Sequence, residues 1–170
     1  MAKVQLDIKK KPQKPVLTKA APKAAEKKVS KDKRPVDGLS LKQLIKATPA
    51  YIQNNARDVI VRSLKETVTK GGFPAIQAKA MSVTNTRRVE YKLSVIGKDR
   101  EQPIYKQKHL LVSCSCGFFT FTCEYALTQW GSAQIKYSNG EPAVVTNPGN
   151  QPLVCKHLVK LLKTIYEEQF

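Results

Sequence analysis

Between positions 40 and 69 the apolar residues recur at steps of three and four. Leu41, Leu44 and Ile45 share one face of a short helix, with Ser40 at its N-cap and Gln43 at the capping-box position. Thr48 followed by Pro49 marks a second start, because proline suits the first helical position. From there Ile52, Ala56, Val59, Ile60, Leu64 and Val68 keep the helical step until Gly71, Gly72 and Pro74 stop it. The pattern predicts a helical pair over residues 37–72, its second helix running from about Pro49 to Thr69. The period then changes to two: Val89, Tyr91, Leu93 and Val95 alternate with Glu90, Lys92 and Ser94, as a half-buried strand does. Residues 104–116 supply a partner strand centred on Leu111, and the hairpin so formed ends at two cysteines. The run 131–154 has little periodicity and carries the turn signals Asn139-Gly140 and Asn147-Pro148-Gly149, so it is expected to be a loop. Last, Leu158, Leu161, Leu162, Ile165 and Tyr166 fall on one face of a C-terminal helix and Lys156, Lys160 and Lys163 on the other. The expected fold is α+β.

Charge divides this chain unevenly. Residues 1–35 hold twelve Lys/Arg, three Asp/Glu and four prolines without one aromatic residue, so a disordered basic tail is expected over 1–36. Its charge of +9, taken from the total of +17, leaves +8 on the remaining 135 residues. The 170 residues and a hydrophobic fraction of 41% fit one modest core behind that tail. A Lys-, Ala- and Pro-rich basic tail is a footprint of nucleic-acid binding through counterion release, or else a solubilising tether. No segment has the apolar core of a secretory signal or the roughly 20 apolar residues that cross a bilayer, so no membrane partner is expected. A reducing, intracellular setting follows, in which four cysteines serve metal binding better than disulfides.

Two of those cysteines, Cys114 and Cys116, close the strand hairpin, and Cys155 and His157 open the last helix. Three soft sulfurs and a borderline imidazole are the donor set of a structural zinc ion, which prefers four such ligands in a tetrahedron and then leaves no position for water or substrate. Gly117 is expected to let the backbone curl round the ion, and the helix N-terminus to favour the thiolate of Cys155. The competing reading is a reduced core in which the cysteines act as small hydrophobes. Cys123 is the spare, expected to be buried, with replacement of a ligand as the alternative. His109 is expected to be an exposed strand residue.

The order C-x-C then C-x-H, after a strand hairpin and before an amphipathic helix, resembles the SWIM zinc finger. The match is Cys-Ser-Cys at 114–116 and Cys-Lys-His-Leu at 155–158, over a module spanning about residues 83–170. The resemblance implies a ββα zinc module that binds nucleic acid or protein without catalysis by the metal. The departure is the insertion: 38 residues separate Cys116 from Cys155, longer than that family usually has, so the module carries a long inserted loop over 118–154. The run from Gly131 to Leu158 is also similar to zinc-finger-like proteins of large tailed bacteriophages, which implies a virion or DNA-associated component.

For nucleic acid the candidate phosphate contacts are Arg87, Arg88, Lys92, Lys106, Lys108, Lys156, Lys160 and Lys163. Phe118, Phe119, Phe121, Tyr125 and Trp130 are either base-stacking platforms or core beside the metal; core is the expectation for most, with Trp130 and Tyr137 the more exposed. No Ser/His/acid order, paired-carboxylate site or phosphate-cradling loop stands out, so no enzyme is expected. The function expected is a zinc-stabilised nucleic-acid-binding protein; the alternative is a structural or adaptor protein that binds other proteins.

Overall fold

The computed structural model describes residues 37–84 and 87–170; the tail expected over 1–36 lies outside the described residues. In chain order the elements are α1 (Leu41–Ala47), α2 (Ala50–Asn55), β1 (Ile60–Val68), β2 (Pro74–Thr84), β3 (Arg87–Gly97), β4 (Leu110–Cys114), α3 (Glu124–Gln129) and α4 (Lys156–Glu168). The four strands form one antiparallel sheet in the order β1-β2-β3-β4, so the fold is α+β, a meander covered on one face by α4, against which α1 and α2 pack. At α1 the capping box forms in full. Ser40 Oγ accepts the Gln43 amide at 3.4 Å, and Gln43 Oε1 accepts the Ser40 amide at 2.9 Å.

The second helix is much shorter than its spacing suggests. It ends at Asn55, a 3-10 turn spans Ala56–Asp58, and residues 60–68 are a strand. The reason lies in Val59, Ile60, Val61, Thr67, Val68 and Thr69, whose branched Cβ atoms crowd a helical turn but suit an extended chain. Ile60 and Val68, both counted in the helical stripe, are 56% and 64% exposed, so their spacing carried no packing. The partner of β1 is β2, a segment rich in alanine that gives no strand signal by propensity. Pairing of Ile60 with Met81 through Val68 with Pro74 stabilises both, with a bulge between Val61 and Ser63.

The expected β3–β4 hairpin is present, pairing Leu93 with Cys114 and Val95 with Val112. Its second strand is shorter than expected and centred on Val112, because Pro103 leads into a 3-10 turn at Ile104–Lys106. Inside the sheet, Ile76, Ala78, Ala80 and Ser82 of β2 and Leu93 and Val95 of β3 are buried beneath α4. Leu158, Leu161, Leu162 and Ile165 of α4 are wholly buried there, worth roughly 1.5–3 kcal/mol each. Tyr166, expected on the same face, is 46% exposed. The core is continuous from Leu41 and Ile52 through Ile76 and Leu93 to Leu162.

The segment expected to be a loop over 118–154 is helical in its first third: a π-helical turn at Phe119–Cys123 runs directly into α3. The remainder is irregular but pinned. Asn147 Nδ2 donates to the carbonyls of Thr122 (3.1 Å) and Gln151 (2.9 Å), and Trp130 Nε1 donates to Asn150 O at 3.1 Å. Glu124, fully buried, accepts the backbone amides of Tyr137 and Ser138, the latter at 2.7 Å. These side chains fix a long insertion without regular structure, which is why it returns the chain to α4 in a defined position.

Candidate metal centre

Cys114 ends β4 and Cys155 is the N-cap of α4, so the centre sits where the sheet meets the start of the last helix. One ligand atom from each of Cys114, Cys116, Cys155 and His157 lies within 4.8 Å of all the others. Zn–S bonds of about 2.3 Å place tetrahedral sulfurs about 3.8 Å apart, so the four atoms need to close only slightly on a shared ion. The set is buried: Cys114 is 0%, Cys155 1%, Cys116 3% and His157 4% exposed, the last three bordering a cleft of about 300 Å³. The four residues therefore form a candidate site for one metal ion, and their donor chemistry suits a soft or borderline cation.

The imidazole is held from two sides. His157 Nδ1 lies 4.0 Å from Cys114 Sγ, and Nε2 lies 3.0 Å from Ser82 Oγ, on buried β2. A metal held at Nδ1 would leave the ring proton on Nε2, facing Ser82 Oγ, the outer-shell hydrogen bond that orients a metal-binding histidine. The Tyr91 ring packs on the imidazole with centroids 4.3 Å apart. Ser82 was not singled out by sequence, and Tyr91 only as a half-buried strand residue; the available signal was that Ser82 is the polar member of an otherwise apolar inward row, Ile76, Ala78 and Ala80.

The thiols behave as a crowded group with room for one easy charge. Hydrogen bonds from the Cys114 and then the Cys155 thiols hold Cys116 far below the ordinary thiol range, and the Phe119 amide, 3.3 Å from its sulfur, adds to this. Cys114 is pushed up, first by its hydrogen bond to Cys116, and Cys155 is pushed up mainly by burial. The expectation that the helix N-terminus would favour a Cys155 thiolate is thus outweighed by desolvation. A second and third thiolate in this volume need a cation between them.

The curl between Cys116 and the next element does not use Gly117 as expected. Gly117 is absent from the positive-φ glycines, which are Gly38, Gly72, Gly131 and Gly140, and a Cβ there would meet only Phe121, at 3.9 Å. The bend is made by the helical start after Cys116, where Thr120 N–H donates to Cys116 O at 3.1 Å. Cys123 is buried, outside the four-ligand cluster, with its thiol 3.7 Å from Phe118 O. His109 also lies outside it, half-buried rather than exposed, with Nδ1 3.0 Å from Gly38 O.

The basic residues do not converge on one surface. Arg87 is the first residue of β3, and Arg88 and Lys92 are exposed along the same strand. Lys106 and Lys108 line a separate cleft with Lys98 and Gln107. Lys160 and Lys163 are half-buried beside Arg57 and Gln53, and Lys156 borders a cleft of about 300 Å³ next to His157. Of the aromatics, Phe119 is core, but Phe118 and Phe121 are 41% and 74% exposed. Trp130 is half-buried, whereas Tyr137 is exposed as expected.

Among the described residues no helix is long and apolar enough to cross a membrane. By fold and site the chain is an α+β protein with a buried three-cysteine, one-histidine candidate metal centre. No protein-family model, curated protein or solved structure matches it.

Proposed function

We propose that the protein binds nucleic acid, with one structural zinc ion of SWIM type holding the sheet to α4 and lysines and arginines gripping phosphate. The observation that carries this reading is the charge of +17 on 170 residues, in a chain whose four buried candidate ligands are enough to complete the shell of one structural ion. Cys116, Cys155 and His157 border a cleft of about 300 Å³, but four protein ligands would complete the shell of a tetrahedral ion and leave the cleft no position on it. Zinc thus works as a cross-link, and the protein is not an enzyme.

A salt series on a labelled oligonucleotide tests the reading. Affinity should fall steeply, with a logarithmic slope of about −0.7 per phosphate contact on a single strand. An absence of binding at low salt would overturn it. The second reading is an adaptor, including a virion component. It is favoured by the exposed apolar side chains Phe118, Phe121, Val144 and Val145, of which Phe121 and the Val144–Val145 segment are tied together by Thr146 Oγ1 donating to Phe121 O at 3.3 Å. Oligonucleotide-independent capture of a defined protein by this patch, lost on Phe121→Ser, would establish that reading instead.

A further inference from the structure

Among the described residues no helix packs on the face of the sheet turned away from α4, which forms a trough of about 610 Å³. Its lining includes Lys65, Lys79, Lys92 and Lys136, and among the described residues no carboxylate lines it. Glu90 stands nearby on β3 and pairs with Lys79 at 3.0 Å, so it offsets one of the four charges. The register makes the arrangement more telling than a count. Lys79 on β2 and Lys92 on β3 are direct cross-strand partners, and Lys65 is one row away, opposite Gln77. Like charges opposed across two strands destabilise a sheet. Beyond the exposed Lys79–Glu90 pair folding gains little from this row, whereas an anion laid across it removes the repulsion.

The rest of the trough is equally specific in chemistry. Ser94 and Ser113 bond each other across β3 and β4, their Oγ atoms 2.8 Å apart, and together with Gln77 they offer neutral donors between the lysines. At the β4 side the inserted loop raises a wall that carries Lys136 and Tyr137. Tyr137 is 37% exposed, the Lys136 ammonium sits 5.1 Å from its ring centre, and its backbone amide is fixed by buried Glu124. A row of cations beside a fixed, accessible aromatic ring is how proteins hold single strands, phosphates on the charges and a base on the ring. Four strands about 4.8 Å apart make a floor roughly 14 Å wide, closed on one side, which suits one strand better than a rigid duplex.

We infer that this open sheet face is the binding surface for single-stranded nucleic acid, with Lys65, Lys79, Lys92 and Lys136 on the phosphates and Tyr137 stacked on a base. The inference rests on the nucleic-acid reading above and gives it a place. It also assigns the main contacts to residues other than the α4 lysines.

The test uses the full chain and labelled oligo-dT and oligo-U of about 16 nucleotides, the upper end of the sites such surfaces cover. The triple variant Lys65→Gln/Lys79→Gln/Lys92→Gln should lose at least tenfold in affinity at moderate salt, and its salt slope should flatten by about 2, from three contacts at about 0.7 each. Tyr137→Ala should lose about tenfold with the slope unchanged, since stacking carries no counterion. Lys160→Gln/Lys163→Gln should stay close to the parent, and a duplex of the same sequence should bind more weakly than either single strand. An unchanged thermal midpoint in the triple variant shows that lost binding is not lost folding. If the parent binds but the triple variant keeps its affinity and slope, the platform is overturned while nucleic-acid binding stands. A duplex that binds as well as the single strands overturns the single-strand assignment. No binding by the parent overturns the functional reading and this one with it.

Discussion

One strand, β2, faces two environments, and they follow different rules. On the inner side Ile76, Ala78, Ala80 and Ser82 are all buried, the last three small enough to let α4 lie close, and the one hydroxyl among them meets the His157 ring at 3.0 Å. On the outer side Gln77 and Lys79 are exposed, and Lys79 opposes another lysine across the sheet. The inner face satisfies every polar group it buries; among the described residues no buried side-chain nitrogen or oxygen lacks a partner. The outer face keeps a repulsion that folding alone would remove. What holds the protein together and what it is proposed to bind are thus separated by the thickness of one sheet, and the two faces should respond to perturbation in opposite ways.

The largest difference should come from the metal. Removing it with a chelator, or replacing Cys155 with Ser, should collapse the inner face, because ligand binding in a small metal module is folding free energy, about 10–16 kcal/mol in zinc-finger peptides. Circular dichroism and the thermal midpoint should both fall, metal analysis of the parent should give one zinc per chain, and the four buried cysteines should become reactive to a thiol reagent only after chelation. A chelated protein with an unaltered spectrum and midpoint would mean that the four side chains are ordinary core.

The sequence made the centre legible and half of its surroundings illegible, for separable reasons. A C-x-C at a strand end and a C-x-H at a helix start can be recognised because metal coordination constrains residue type and spacing together. The capping box of α1 was readable for the same kind of reason, since Ser40 and Gln43 act within one turn. The stretch after Asn55 was not. Apolar residues at steps of three and four can also be read off a strand with one half-buried face, and only the density of branched residues from Val59 to Val61 and Thr67 to Thr69 favoured the extended form. Strand β2 stayed hidden because alanine fits a tight sheet–helix contact without any β propensity of its own. Ser82 could not be assigned a role until β2 existed to place it under the imidazole.

Ser82 supplies a smaller perturbation of the same inner face. Ser82→Ala removes the hydroxyl that meets His157 Nε2 while keeping all four candidate ligands, and losing such an outer-shell partner typically costs 10–100-fold in metal affinity. The expected outcome is a protein that folds with saturating zinc but yields its metal to a competing chelator at about ten times lower chelator concentration, or less. Ser82→Thr, which keeps the hydroxyl, should recover most of the difference. If both variants hold zinc as the parent does, the hydroxyl is packing alone.

The smallest effect, and the one that separates the faces most cleanly, should come from Lys92→Gln on the outside. Lys92 opposes Lys79 in register and lies two residues from Glu90, which is already engaged by Lys79 at 3.0 Å. Lys79 is the poorer choice, since changing it would also break that ion pair, whose members are about half exposed and whose worth is only about 0–1 kcal/mol. At Lys92 the substitution removes one of two opposed charges and should leave stability unchanged or raise it by about 0.2–1 kcal/mol. The gain should shrink as salt is added, because screening weakens the repulsion that is being relieved. Denaturant unfolding at low and high salt measures both quantities. A loss of stability at either salt would mean that the Lys92 stem packs on the sheet and belongs, energetically, to the structural face; a salt-dependent gain places it with the residues kept for a ligand.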